Sequence, residues 1–167
     1  MDIRIEGYWL KNVERAYLAG IFDGEGCASV TCGRYKKKTK MGEKLYSGFG
    51  VHFAVSNVDQ GVLKDILSLL GKGGIYRQRN VYSFRSHNPT DVLKIIGVIK
   101  PYVKVKRQDL KNLEDAAEFI LQVRETSKRH RWTEEEKTEF LKFAEKSKAL
   151  KGSGKRGRPR KYPLRQS

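Results

Sequence analysis

Two patterns of apolar and polar residues follow each other near the start of the chain, one helical and one extended. Residues 14–22 carry apolar side chains at helical spacing, and small residues recur at every fourth position, at Ala16, Gly20 and Gly24. Small residues at this spacing lie along one side of a helix, where a second backbone can approach closely. The pattern predicts a central helix with a smooth side, here called the small-residue stripe.

Alternating apolar and polar positions predict strands over residues 26–33 and 46–56. Between them, residues 34–44 contain six basic residues and one acid, and we predict a long hairpin loop there. A second pair of strands surrounds a turn near Asn80. The chain therefore offers four strands in two consecutive pairs.

Capping residues mark the helices that separate and follow these strands. Asp59 is predicted to cap a helix over residues 61–70, Asn88 begins a helix that runs to about residue 99, and a long helix spans about 108–123. The order is helix, two strands, helix, two strands, helix, helix. It predicts an α+β fold, an αββαββα arrangement followed by a further helix, with a four-stranded antiparallel sheet and helices on one face.

The sheet face turned away from the helices is predicted to be polar and basic. The alternating positions that form it are Ser29, Thr31, His52, Arg77, Arg79, Ser83 and Arg85. The basic loop adds Arg34, Lys36, Lys37, Lys38 and Lys40. These charges serve either general solubility or DNA contact, and their position opposite the apolar residues favours contact with bases by arginine and with phosphates by lysine.

The charge of the chain points to an acidic partner. The 167 residues carry a net charge of +16, which makes nucleic acid the first candidate and a membrane surface the second. No apolar run approaches the roughly 18 residues that cross a bilayer, and the N-terminus lacks the apolar core of a signal peptide. We expect an intracellular, soluble protein in which Cys27 and Cys32 are free thiols.

The C-terminal part differs in composition from the rest. Thr133 and Glu136 form a capping box that opens a helix, and residues 148–167 contain eight basic residues and no acid. Removing those eight from 35 basic residues leaves 27 against 19 acidic ones, so the remainder keeps a net charge of +8. We predict a domain over residues 1–125, an appended helix over 126–147 and a basic tail that is disordered by itself.

Residues 18–26 read Leu-Ala-Gly-Ile-Phe-Asp-Gly-Glu-Gly, and this segment resembles the motif of the LAGLIDADG homing endonucleases at every position, by identity or conservative replacement. The resemblance covers roughly residues 10–125. Members of that family cleave long DNA sites with Mg²⁺, placing a saddle-shaped sheet in the major groove and two motif helices together at the centre. Because this chain holds one motif, the resemblance implies a homodimer whose seam is the stripe of Ala16, Gly20 and Gly24.

The motif ends in two carboxylates, Asp23 and Glu25. By resemblance Glu25 is the metal ligand, the Gly24 carbonyl lies beside it, and Asp23 is a structural residue that closes the helix end. Many family members have Asp where this chain has Glu25, and both occur. Mg²⁺ is the implied cofactor, with Mn²⁺ as a substitute, because carboxylate oxygen suits a hard cation in phosphodiester hydrolysis.

Two further residues are assigned roles by the same resemblance. Asn57 falls where the family has a polar side chain that orients water, and Lys106 falls where it has a basic residue near the scissile phosphate. The alternative for Asn57 is a residue that caps the following helix. The alternative for Lys106 is a solvated charge, and Lys104 is close enough in sequence to be confused with it.

The tail segment 156–161 reads Arg-Gly-Arg-Pro-Arg-Lys and resembles an AT-hook, in which an extended arginine-rich segment lies in a narrow minor groove. Its candidate DNA contacts are Arg156, Arg158 and Arg160. The alternative is a plain basic tail that binds phosphates.

These observations predict a Mg²⁺-dependent, homodimeric DNA endonuclease from a mobile intron or a free-standing element. It would cut both strands of a long pseudo-palindromic site across the minor groove and leave 3′ overhangs. The rival class is a non-cleaving binder on the same fold, either an intron-RNA maturase, with RNA as its partner, or a DNA-binding regulator. The joint presence of Glu25, Asn57 and Lys106 argues against a loss of catalysis.

Overall fold

The computed structural model of this chain describes residues 3–5, 8–39, 42–125 and 132–151. Its secondary structure alternates short groups of strands with helices. In chain order the elements are β1 (Ile3–Ile5), β2 (Tyr8–Leu10), α1 (Asn12–Glu25), β3 (Gly26–Thr39), β4 (Gly42–Asn57), α2 (Gln60–Leu70), β5 (Gly74–Gln78), β6 (Val81–Ser86), α3 (Pro89–Ile99), α4 (Arg107–Glu125) and α5 (Glu134–Leu150).

One four-stranded antiparallel sheet organises the molecule, with strand order β3-β4-β6-β5. The face of the sheet that meets the helices is apolar, and Val30, Val51, Phe53 and Phe84 on it are each at most 4% exposed. The α+β prediction is therefore confirmed. A separate antiparallel pair, β1 and β2, precedes α1 and was not predicted.

The prediction of a long loop over residues 34–44 is wrong. β3 continues to Thr39 and β4 begins at Gly42, so residues 34–39 pair with residues 42–47 and form a long ribbon. Backbone N–H and C=O groups pair along a ribbon whatever side chains they carry. A high density of lysine therefore does not exclude a strand.

The predicted capping residues are confirmed. The Asp59 carboxylate accepts a hydrogen bond from Gly61 N at 2.7 Å, and Gly71 ends the same helix with φ of 65°, a left-handed conformation that favours glycine. Asn88 caps α3, and Thr133 forms the predicted capping box at the start of α5.

Aromatic packing fixes α1 on the sheet. The Phe22 ring is fully buried and stacks on Phe53 with 4.9 Å between ring centroids. α1 runs to Glu25 and β3 starts at the next residue, so the chain turns tightly against this ring. A Cβ atom at Gly26 would lie 2.2 Å from Phe22 Cδ2, so glycine is required there. This close approach sets the position of Glu25.

The helix predicted as an appendage packs against the main core. Phe140 of α5 is fully buried, and Asn112 Nδ2 of α4 donates a hydrogen bond to Phe143 O at 2.9 Å. Ser147 Oγ accepts a hydrogen bond from Val30 N at 3.2 Å on the outer edge of β3. α5 therefore shields an edge strand of the sheet. Within the described ranges, no helix is both long and apolar enough to cross a bilayer.

Candidate active site

Asp23 joins the end of α1 to the segment that precedes α4. Its carboxylate accepts hydrogen bonds from three consecutive backbone N–H groups, those of Lys104 at 2.7 Å, Val105 at 3.2 Å and Lys106 at 3.0 Å. Burial acts to raise the pKa of Asp23, but these N–H groups and the Lys106 charge together lower it by more, so the net pKa lies below its ordinary value. These bonds give Asp23 a structural role, because they link it to residues that lie 81 to 83 positions later in the chain.

Lys106 lies against the C-terminal end of α1. Its Nζ donates to three backbone carbonyl oxygens, those of Phe22 at 3.1 Å, Gly24 at 3.2 Å and Gly26 at 2.8 Å. The C-terminal end of a helix carries partial negative charge, so an ammonium group there is stabilised. The alternative of a merely solvated charge is wrong for Lys106, because the ammonium group has defined partners.

Glu25 is the exposed carboxylate of the motif. It is the last residue of α1 and follows Gly24, which is also exposed. The hydrogen bond from Lys106 Nζ to the Gly24 carbonyl oxygen is also exposed to solvent. The structure thus brings Glu25, the Gly24 carbonyl and the Lys106 ammonium group to one helix end.

Asn57 is the last residue of β4, and its side-chain oxygen accepts a hydrogen bond from Asp59 N at 2.9 Å. This geometry supports the capping alternative raised from the sequence. Within the described part of the chain, no hydrogen bond joins Asn57 to Glu25 or Lys106. A role in catalysis stays a prediction for this residue.

The small-residue stripe is open to solvent. Ala16, Gly20 and Gly24 are all exposed, and a Cβ atom added at either glycine would meet nothing within 4 Å. Two apolar side chains on the same helix are also exposed, Val13 at 78% and Tyr17 at 51%. Exposed apolar area on a helix that is otherwise central to the fold is typical of an interface.

The strand register places most of the predicted polar residues on the face opposite the helices. Ser29 lies opposite His52, and Arg85 lies opposite Ala54, two residues along β4 on the same side. Ser83 and Thr31 follow by the same alternation. We call this surface the polar face.

Two of the predicted arginines are not on strand positions of that face. Arg77 lies opposite Tyr82 and is two residues after Ile75, so the two residues share one face of β5. Ile75 pairs with the buried Phe84, so the strand position of Arg77 is on the helix side of the sheet. Its guanidinium group contacts the Tyr82 ring at 5.9 Å. Arg79 is a turn residue with φ of 57°, although it borders a cleft with residues of the polar face.

The remaining predicted DNA contacts are only partly described. Arg34, Lys36, Lys37 and Lys38 belong to β3, whose backbone is described at these positions. Lys40 lies outside the described residues, as do the tail residues Arg156, Arg158 and Arg160.

Arg85 is a cation of the polar face that has three defined contacts. Its guanidinium donates to Ser83 Oγ at 3.2 Å and to Gln78 Oε1 at 2.9 Å, and lies 5.7 Å from the centre of the Tyr76 ring. Such contacts hold a planar donor group in one orientation, as recognition of a base edge or a phosphate requires.

Two histidines stack on the same face. The His52 and His87 rings lie 4.6 Å apart and nearly parallel, and His52 Nδ1 is 3.4 Å from Ser29 Oγ. Burial lowers the pKa of His52 to about 4, and the charges of His87, Arg85 and Lys151 add to this effect. His52 is therefore neutral at pH 7.

Comparison with known proteins identifies the family. Residues 18–117 match the family model described as LAGLIDADG endonuclease, which is more than half of the chain. The chain belongs to this family. A search of curated proteins finds no match at a significant level.

The fold of this LAGLIDADG endonuclease is similar to that of several solved homing endonucleases. A structure of I-CvuI with the I-CreI target has a TM-score of 0.68 at 19% identity, over 86% of this chain and 85% of that one. The archaeal intron-encoded I-Vdi141I in complex with DNA has a TM-score of 0.63 at 22% identity, over 92% and 91%. I-AabMI bound to uncleaved DNA has a TM-score of 0.59 at 23% identity, over 83% of this chain but 48% of that one.

Several residues on the polar face were not predicted from the sequence. Tyr76 and Gln78 contact Arg85, and Lys151 Nζ lies 3.4 Å from Cys27 Sγ at the end of α5. The apolar residue Ile75 could have indicated the correct alternation in β5. Lys151 follows Ser147 by one helical turn, and helical spacing alone places the two on the same side.

Proposed function

We propose that this LAGLIDADG endonuclease is a site-specific nuclease of double-stranded DNA that acts as a homodimer with Mg²⁺. The proposal rests on the end of α1, where the exposed residue Glu25 follows Gly24, whose carbonyl oxygen accepts a hydrogen bond from the Lys106 ammonium group. A carboxylate, a carbonyl and a cation are the groups that hydrolysis of a phosphodiester needs.

The oxygen donors suit a hard divalent cation. Glu25 and the Gly24 carbonyl would hold Mg²⁺ or Mn²⁺, and the ion would supply a polarised phosphate oxygen and an activated water. The described residues contain no group of three or more His, Cys, Asp or Glu side chains that could hold a metal ion. One chain therefore offers few ligands, and oxygens of the DNA would complete the coordination. Lys106 would stabilise negative charge on the phosphate, and Asn57 would orient water.

The polar face is the proposed DNA-binding surface. Arg85 with Ser83, Ser29, Thr31 and His52 would lie against the bases. The basic ribbon of β3 and β4 would follow the phosphates, since lysine acts as a point charge there. The similar structures of I-CvuI, I-Vdi141I and I-AabMI each contain bound DNA.

Two copies of the chain would form one nuclease through the small-residue stripe. The chain holds one motif, its described residues form one four-stranded sheet, and it matches 48% of the longer I-AabMI chain. A two-fold axis along the stripe would bring two Glu25 carboxylates together, one for each DNA strand. The expected site is a pseudo-palindrome, and the expected cut crosses the minor groove to leave 3′ overhangs.

The basic tail would add contacts beside this surface. The last described residue, Lys151, lies next to Cys27, which pairs with Ala54 on the polar face. Lys151, the residue before the tail, therefore lies on the side proposed to bind DNA. Its AT-hook-like segment would enter the minor groove, or its arginines would bind phosphates.

Glu25→Gln tests the proposed chemistry. Because the amide keeps the shape of the side chain but loses the charge that binds a cation, we expect DNA binding at wild-type affinity and no cleavage in Mg²⁺. Glu145→Gln, at an exposed position of α5, is the matched control and should cut normally. Full cleavage by Glu25→Gln would refute the role assigned to Glu25. Binding without cleavage by the wild type would favour the rival class of non-cleaving binder.

A further inference from the structure

The three hydrogen bonds of the Lys106 ammonium group use its whole donor capacity. An ammonium group has three N–H donors, and here they go to the carbonyl oxygens of Phe22, Gly24 and Gly26. All three oxygens belong to the last turn of α1 or to the residue after it. The ammonium group therefore already binds an oxygen cluster that includes an oxygen proposed for the metal.

The three bonds are not equivalent. Those to Phe22 O and Gly26 O are partly buried, whereas the bond to Gly24 O is exposed. The Gly24 bond is also the longest of the three, at 3.2 Å. Solvent and ions can reach this carbonyl oxygen, so the Gly24 bond is the one that an incoming cation would disturb first.

The backbone of Lys106 cannot move away to make room. Its N–H group and those of the two preceding residues are held by Asp23, which is itself part of α1. The ammonium group also lies 5.7 Å from the centre of the buried Phe22 ring. Only the outer part of the side chain is therefore free to adjust.

We propose that Lys106 competes with the divalent cation for the Gly24 carbonyl oxygen. The inference rests on the proposed function, which gives that oxygen to the metal. Two cations on one carbonyl repel each other, so cation binding breaks the Lys106–Gly24 bond and releases one N–H donor toward the phosphate. Lys106 thereby lowers the affinity of the empty enzyme for the ion and becomes available to DNA once the ion is bound.

Binding of Mn²⁺ to the full-length protein without DNA tests this competition, with free Mn²⁺ measured by electron paramagnetic resonance. Lys106→Met keeps the length of the side chain and removes its charge, and we expect the Kd to fall by about tenfold at low ionic strength. Lys104→Met is the matched control, because Lys104 is an exposed lysine in the same segment before α4. This variant should bind Mn²⁺ with the Kd of the wild type. Lys106→Gln, which keeps a donor for the carbonyls, should also bind more tightly, and it replaces Lys106→Met if that variant fails to fold.

The outcomes separate this inference from the proposed function. A Kd for Lys106→Met equal to or weaker than that of the wild type, with binding still lost in Glu25→Gln, would overturn the competition and leave the metal site intact. Mn²⁺ binding that Glu25→Gln does not reduce would contradict the metal site itself, and the inference with it. Tighter binding in both Lys106 variants and loss in Glu25→Gln is the result that we expect.

Discussion

Replacement of Asp23 by asparagine removes the charge that holds the end of α1 to the segment before α4. The carboxylate accepts hydrogen bonds from three backbone N–H groups through both of its oxygens. An asparagine side chain offers one oxygen, and its NH₂ group would face an N–H donor. We therefore expect Asp23→Asn to destabilise the fold without changing its shape.

The size of the effect follows from these bonds. A hydrogen bond to a charged group contributes about 1.5–3 kcal/mol, but most of the Asp23 bonds are exposed, so we expect a total loss of about 2–3 kcal/mol rather than three full contributions. In a chain of this size each kcal/mol lowers Tm by about 2–4 °C, which gives a decrease of roughly 5–10 °C. Asp65→Asn, at an exposed position of α2, is the control and should shift Tm by no more than about 2 °C.

The pH dependence of the same variant checks the cause. The folded pKa of Asp23 is below its ordinary value, so its stabilisation is present above the unfolded pKa, about 3.9, and is lost as pH falls through the folded pKa. The difference in Tm between wild type and Asp23→Asn should be full at pH 6 and should shrink below about pH 4. Equal Tm values for Asp23→Asn and Asp65→Asn at pH 6 would refute the reasoning.

Two other features give predictions of their own. Gly20→Leu should prevent dimerisation but leave the monomer folded, because a Cβ atom at Gly20 meets nothing within 4 Å in one chain. Gly97→Leu on α3 has the same free space and should still dimerise. Sedimentation of both variants checks this, and a dimeric Gly20→Leu would place the dimer interface elsewhere. The pKa of His52 is lowered to about 4 in the folded chain, so the unfolded chain binds more protons between pH 6.5 and 4. The free energy of unfolding therefore decreases as the pH decreases through that window. The shift corresponds to about 3 kcal/mol, which we reduce to about 1–2 kcal/mol for a half-exposed ring. The Tm of His52→Asn should decrease less steeply than that of the wild type as the pH decreases over that range. Parallel curves of Tm against pH would contradict the lowered pKa of His52.

Local sequence signals identified the elements that depend on neighbouring residues. The caps at Asp59 and Asn88, the stop at Gly71 and the alternation around Ser29 and His52 all involve residues close in the chain or directly opposite in the sheet. Such contacts follow from backbone geometry and spacing, so a single sequence is enough to predict them.

The errors have two sources, a backbone pairing that the charge pattern does not show and a wrong interpretation of the alternation in β5. The charge of residues 34–44 favours a loop, but the backbone of residues 34–39 pairs with that of residues 42–47 whatever side chains they carry. The prediction puts Arg77 and Arg79 on the polar face. Ile75 has the same parity and is apolar, which indicates that these positions face the helices instead. A turn at Arg79 then takes the chain out of the strand altogether.

The details of the site depend on contacts between distant residues. Asp23 and Lys106 are joined over 83 residues, and nothing in the spacing of either residue indicates three backbone donors or three carbonyl acceptors. The resemblance predicts different roles for Asp23 and Glu25. In the structure Asp23 is held by backbone N–H groups, whereas Glu25 is exposed, and the metal-binding role of Glu25 stays a prediction.

Sequencing of DNA ends tests whether this chain cleaves DNA. Duplexes bound by the protein are selected from a randomised library, incubated with the protein and Mg²⁺, and sequenced at every new end. We expect ends that map to one position on each strand of a shared pseudo-palindromic site, with 3′ overhangs, and none with Glu25→Gln. Bound duplexes that stay intact in Mg²⁺ and in Mn²⁺, or ends that also form with Glu25→Gln, would contradict the account.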